Sequence, residues 1–185
     1  MTAIGALFEY TTMWIENISY IDVQQGNHHD CGDNAMLIQI VDPHMDFPNP
    51  KHTFKEVHRF KFWDLDTDGC DPEALARQPR LAELMANVIT DNDAVSLANL
   101  LKRAYSNRMN VIVHCVAGVC RSGAVTDVGV AMGFTDTGKT RIPNLLVKHK
   151  IMKALGWTYD STEPPYFVDD CELTVCGSRR GVIND

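Results

Sequence analysis

No stretch of this 185-residue sequence approaches the roughly 18 consecutive apolar residues of a membrane-spanning helix. The opening segment, MTAIGALFEYTTMWIENISY, has no basic cluster before its apolar residues and carries Glu9 early, so no signal peptide is expected. Basic residues are the minority, 17 Lys and Arg against 24 Asp and Glu, for a net charge of -7. That balance argues against broad nucleic-acid or anionic-membrane binding, which needs a basic face, but leaves room for a small basic pocket. There is no repeat and no low-complexity tract. With 45% hydrophobic residues the chain is not of the disordered kind. Its length suits one domain that buries roughly 70% of its unfolded surface and needs neither disulfide nor metal to fold. The cysteines are Cys31, Cys70, Cys115, Cys120, Cys171 and Cys176. In a chain with no export signal they read as reduced thiols in a cytoplasmic protein.

Strand signals alternate with helix signals, which predicts an α/β fold with a central, mostly parallel sheet flanked by helices. Met13 to Asp22 alternates loosely and reads as a strand. Gln24 to Asn34 is polar and reads as a loop. Ala35 to Val41 (AMLIQIV) is a continuous apolar run, the pattern of a strand buried on both faces. Pro43, Pro48 and Pro50 make residues 42–51 a loop. Val57 to Trp63 alternates again. Leu81 to Tyr105 has helical spacing interrupted between Thr90 and Asp93, which fits one broken helix or two short ones. A turn at 107–110 leads into the β-branched run Val111-Ile112-Val113. Helices are expected from Gly123 to Phe134, ended by Gly133, and from Asn144 to Leu155, opened by Pro143 and closed by Gly156. Residues 1–156 read as the functional domain and 157–185 as a C-terminal extension. Met13, Met36, Met85, Met132 and Met152 fall in apolar runs and are expected in the core.

The informative stretch is VIVHCVAGVCRSGAV, from Val111 to Val125. A buried strand enters a short loop that opens a helix, so the loop amides and the helix N-terminus can converge as an anion nest. Gly118 lets the backbone turn without steric cost. Val116, Ala117, Gly118, Val119 and Cys120 lie between Cys115 and Arg121, and none is acidic. Cys115 sits at the floor, where helix N-termini and nearby cations draw a thiol toward the nucleophilic thiolate. Arg121 offers a planar fork that can hold two phosphoryl oxygens. Ser122 is placed to hydrogen-bond the sulfur and ease its departure, and His114 to orient the loop through backbone hydrogen bonds.

His114-Cys115, five residues, then Arg121-Ser122 resembles the signature loop of the cysteine-dependent protein tyrosine phosphatase superfamily, in its compact dual-specificity-like branch. Outside the loop the likeness is weaker and spans Trp14 to about Gly156, including Ile142-Pro143-Asn144, similar to a segment of small microbial members. The resemblance implies a phosphatase-like α/β fold and a metal-independent phosphatase with no cofactor. Cys115 would be the nucleophile, and 116–121 would bind substrate. It implies a phosphorylated protein as partner, with phosphotyrosine as substrate and phosphoserine or phosphothreonine as further options.

An alkoxide or phenoxide leaves slowly unless it is protonated, and a positioned acid contributes typically 10²–10⁴-fold. In the superfamily this acid is an Asp after a strand upstream of the cysteine. Asp64, at the end of the strand ending Phe62-Trp63, is the first candidate, with Trp63 as a loop anchor. Asp66 is the second and Asp68 a third. Asp64 precedes Cys115 by 51 positions, long for compact members. Asp91 and Asp93 are nearer but interrupt a helix. The DLDTDGCD stretch resembles a calcium loop in composition, yet lacks the terminal Glu of an EF-hand.

Other features have plain structural readings. Cys120 could form a reversible disulfide with Cys115, or be a small buried apolar residue. His28, His29 and Cys31 resemble metal ligands in composition but fit a polar loop better. Cys171 and Cys176 read as two loose thiols. The alternatives for the signature loop are a phosphatase of phosphoinositides, nucleotides or RNA 5′ phosphates, a phosphoresidue-binding module without turnover, and a rhodanese-like sulfur transferase. The first usually carries Lys in the loop. The second usually loses the Cys or the Arg. The third does not share the Arg-Ser pattern.

Overall fold

The computed structural model describes residues 12–66 and 84–158. Five strands form one parallel sheet. They are β1 (Trp14–Ser19), β2 (Ala35–Val41), β3 (Glu56–Lys61), β4 (Asn110–Cys115) and β5 (Thr135–Asp136), in the order β3-β2-β4-β1-β5. The helices that lie wholly within the described residues are α1 (Tyr20–Gln25), α2 (Asp91–Ser106), α3 (Arg121–Met132) and α4 (Leu145–Ala154). The expected α/β class with a parallel sheet and flanking helices is what the chain adopts.

The apolar runs explain the centre. Every residue of β2 is buried, as a strand covered on both faces requires. Side-chain alternation then sorts the two faces. Ile15, Met36, Ile38, Ile40, Val111, Val113 and Cys115 pack with α2, α3 and α4 in the larger core. Ile18, Ala35, Leu37 and Ile112 point the other way, where they meet Val23 of α1 and Cys31. The helices are therefore divided unequally among the described residues: three on one face, and only short α1 with a polar loop on the other.

Several boundaries differ from the sequence expectation. The strand expected to run to Asp22 stops at Ser19, because Ser19 and Asp22 form a reciprocal capping box that starts α1. Local capping wins over loose alternation there. The interruption between Thr90 and Asp93 is a helix start, as the two-helix alternative allowed: Thr90 caps α2 and Asp93 completes its box. The helix expected from Gly123 starts at Arg121, which puts Arg121 and Ser122 in its first turn. The helix expected to open with Pro143 is capped by Asn144, whose side chain accepts from Val147 N–H. Met85 is 37% exposed and is not core; the chain turns directly after it. Met36 is fully buried, and Met13, Met132 and Met152 pack against the core. Trp157 packs there too. Asp68, Cys70, Cys171, Cys176 and the other residues of 159–185 lie outside the described residues. No helix among the described residues is long and apolar enough to cross a membrane.

Candidate active site

The parallel strands all end on one side, and the loop from Cys115 to Cys120 leaves β4 there to enter α3. Its carbonyls are engaged from outside. Val116 O accepts from Tyr20 N–H (3.2 Å), Val119 O from Ile142 N–H (3.3 Å) and Cys120 O from Asn144 N–H (3.2 Å). Gly118 O accepts from the Asn17 side chain at 2.8 Å. No peptide is cis. A trans peptide sets its N–H opposite its C=O. The N–H groups of Ala117, Val119, Cys120 and Arg121 therefore point away from these partners, toward the hollow of the loop.

Gly118 is required for this path. It has φ +75°, and a Cβ there would lie 2.4 Å from the Ile18 carbonyl carbon. Its own N–H donates to Cys115 Sγ at 3.2 Å. Ser122 Oγ lies 3.2 Å from the same sulfur. Cys115 is fully buried at the floor of the loop, while Ala117 on the outer rim is exposed. No disulfide joins Cys115 and Cys120, so the alternative of a disulfide between them is not the state seen. His114 is buried between β1 and β2, beside Ile18 and Gln39. Its Nδ1 faces the Cys115 carbonyl at 3.4 Å, and its Nε2 has no hydrogen-bond partner. Burial pushes its pKa down to about 4, so it is neutral near pH 7 and suits an orienting role.

Arg121 is 1% exposed and turns toward carboxylates. Its Nη1 donates to the Phe62 carbonyl at 2.6 Å and lies 2.7 Å from Asp42 Oδ1. Its Nε stands 3.5 Å from Asp64 Oδ2 and makes no hydrogen bond. Asp64 is 8% exposed, and Asn144 Nδ2 donates to its Oδ1 at 2.9 Å. Burial raises the Asp64 pKa above the usual carboxylate value, although Arg121 and Asn144 pull it down. A carboxyl whose pKa is raised by burial is what a proton donor needs.

The structure separates the other acid candidates. Asp66 accepts from Leu145 N–H (2.8 Å) and Leu146 N–H (3.3 Å), so it serves the N-terminus of α4. Asp93 is spent in the α2 capping box, and Asp91 pairs with Lys150. Trp63 is anchored, through Trp63 N–H to Asn87 O at 2.9 Å and ring contact with His44. His29 pairs with Glu16, and His28 Nε2 meets His52 Nδ1 at 2.9 Å. No group of three or more potential ligands for a metal occurs among the described residues.

Sequence reasoning missed three participants. Asp42 holds Arg121, and its one signal is its place at the end of a buried strand. Asn17 pins the loop through Gly118 O. Asn144, noticed as part of a tripeptide and as a helix start, joins the loop, Asp64 and the helix. Arg141, paired with Asp127 and Asp136, fixes the segment that brings Ile142 and Asn144 to the loop.

No family model matches the chain, and no curated protein matches it. Among solved structures, the chain is similar to "OH1 from the Orf virus: a tyrosine phosphatase that displays distinct structural features and triple substrate specificity". The identity is 18% and the TM-score 0.38, over 65% of this chain and 56% of that one. The match thus spans a little over half of that protein.

Proposed function

We propose that the protein is a metal-independent, cysteine-dependent phosphatase of phosphomonoesters, with protein phosphotyrosine as its first substrate and phosphoserine or phosphothreonine as further ones. The observation that carries this is a long-range one. Asp64 is brought to 3.5 Å from Arg121, the last residue of the nucleophile's own loop. Chain proximity does not produce that meeting, and phosphoryl transfer needs both groups.

The Cys115 thiolate attacks phosphorus while the amides of Ala117, Val119, Cys120 and Arg121 and the Arg121 guanidinium hold the three equatorial oxygens. Arg121 exchanges part of its contact with Asp42 and Asp64 for the phosphoryl group, which opens the way to the buried sulfur. Asp64 gives its proton to the departing oxygen, and a cysteinyl phosphate forms. Asp64 then takes a proton from water as that water attacks phosphorus. The sulfur leaves as thiolate, steadied by Ser122 and Gly118 N–H, and inorganic phosphate is released. A reducing cytoplasmic setting keeps such a thiol available.

Hydrolysis of phosphotyrosyl, phosphoseryl and phosphothreonyl peptides, inositol phosphates and nucleotides, each in the presence of a chelator, tests the reading. Turnover of the phosphotyrosyl peptide with undiminished rate under chelation is expected. Turnover confined to inositol phosphates or nucleotides would move the substrate to a non-protein ester, and no turnover of any would leave a binding module.

A further inference from the structure

We propose that Asn144 is a positioning residue that dictates which oxygen of Asp64 carries the transferable proton. The inference rests on the phosphatase reading above and concerns how its acid is aimed. Asn144 is 4% exposed and makes four contacts with defined donors and acceptors. Its backbone N–H donates to Cys120 O in the nucleophile loop, and its backbone carbonyl accepts from Lys148 N–H. Its Oδ1 accepts from Val147 N–H at 3.0 Å. Its Nδ2 donates to Asp64 Oδ1 at 2.9 Å.

The chemistry of these atoms leaves one arrangement. A backbone N–H can only donate, so the side-chain atom facing Val147 must be the amide oxygen. The amide nitrogen then faces Asp64, and it too can only donate. Asp64 Oδ1 is therefore an acceptor in both protonation states, and the proton of the neutral acid resides on Oδ2. Oδ2 is the oxygen that faces Arg121 Nε, and that Nε–H makes no hydrogen bond and is buried. The proton is thus held on the side of the carboxyl turned to the phosphate-binding arginine. On transfer it passes from Oδ2 to the leaving oxygen, and the new carboxylate keeps the Asn144 donor. In the second half of the reaction Oδ2 accepts the proton of the hydrolytic water, which restores the starting state. The contact to Cys120 O ties this aim to the nucleophile loop, so one residue sets acid and nucleophile against the same helix start.

Asp64 is also faced by Arg121 from α3, by Asp42 from the end of β2 and by Asp66 from its own segment. Substitutions at 144 therefore move its titration against a fixed background.

Asn144→Ser and Asn144→Asp make the test. Both are good helix caps, so the start of α4 is kept. The serine withdraws the donor from Asp64, and the aspartate puts a like charge there. The readouts are kcat/KM against pH, and kcat against leaving-group pKa for a series of aryl phosphates, beside thermal melts. Asn144→Ser is expected to lose about tenfold for poor leaving groups and less for good ones, a part of the 10²–10⁴ that general acids contribute. Asn144→Asp is expected to move the basic limb of the profile to higher pH. Asp64→Asn serves as the reference. If it shows a leaving-group-dependent loss while both Asn144 variants keep the wild-type slope and profile, or lose equally on all leaving groups with a lowered melting temperature, the positioning role is overturned and the phosphatase reading stands. If Asp64→Asn itself shows no leaving-group dependence, the acid assignment falls and this inference falls with it.

Discussion

Two corners of the molecule hold nearly the same set of residue types. At the C-terminal ends of the strands stand Cys115, His114, Gly118, a buried carboxyl in Asp64 and a cation in Arg121. On the face covered by α1 stand Cys31, His29, Gly32, a buried carboxyl in Glu16 and a cation in Lys139. The second set is ordinary structure. Burial together with Asp30 and Glu16 pushes the Cys31 thiol up, away from the reactive thiolate. Glu16, 0% exposed, is held by His29 at 2.9 Å and Lys139 at 3.4 Å, both well exposed to water. The first set differs by its backbone. Its loop turns the Gly118 amide toward the sulfur, and its cation is buried with its carboxyl. Composition does not distinguish the corners; the direction of the N–H groups and the burial of the cation do.

The largest expected difference lies between the two carboxyls. Asp64→Asn should cut turnover of esters with poor leaving groups by about 10²–10⁴-fold, the worth of a general acid. Glu16→Gln should leave turnover within about twofold and cost about 1–3 kcal/mol of stability, as loss of a buried charged hydrogen-bond acceptor does. Steady-state kinetics and denaturant titration on both variants check this. Equal kinetic losses would erase the distinction between the corners.

The glycines come next. Gly118→Ala must tolerate both φ +75° and a Cβ 2.4 Å from backbone carbon, which should cost about 3–5 kcal/mol. Gly32→Ala has φ +61° but nothing within 4 Å of the new Cβ, and should cost about 1–2 kcal/mol. Chemical denaturation of the two separates them; similar costs would mean the loop does not press on β1 as described.

His114 gives a pH signature. His114 has its pKa lowered to about 4 by burial. The unfolded chain takes up this proton near pH 6.5 while the folded one does not. The unfolded state is therefore favoured progressively as pH falls from about 6.5 to about 4, by about 1.4 kcal/mol per pH unit, and the trend stops below that. In His114→Gln the slope over this window should flatten by that amount. Stability measured at pH 7, 6 and 5 decides; an unchanged slope in His114→Gln would contradict a buried neutral imidazole.

What the sequence made legible follows from locality. AMLIQIV announces a doubly buried strand because burial is written in consecutive residues. The loop from His114 to Ser122 is equally readable, because strand, turn glycine and helix start are contiguous. Asp64 could be nominated from its place after a strand, but Asp66 stayed beside it, since only the fold shows that Asp66 faces the amides of α4 while Asp64 faces Arg121. Asp42 and Asn144 act through partners 79 and 80 positions away, and no local pattern marks such pairings. Ser19 and Asp22 show the opposite error: a local signal was present, and strand-like alternation hid it.

The most direct test of the central claim, that the Cys115 sulfur takes the phosphoryl group itself, is a rapid denaturing quench during turnover of an aryl phosphate, followed by mass analysis of the peptides. A phosphoryl adduct on Cys115 is predicted in the wild-type protein and in Cys31→Ser, and none in Cys115→Ser. Phosphate release from the wild-type protein with the adduct on any other residue, or turnover that persists in Cys115→Ser, would contradict it.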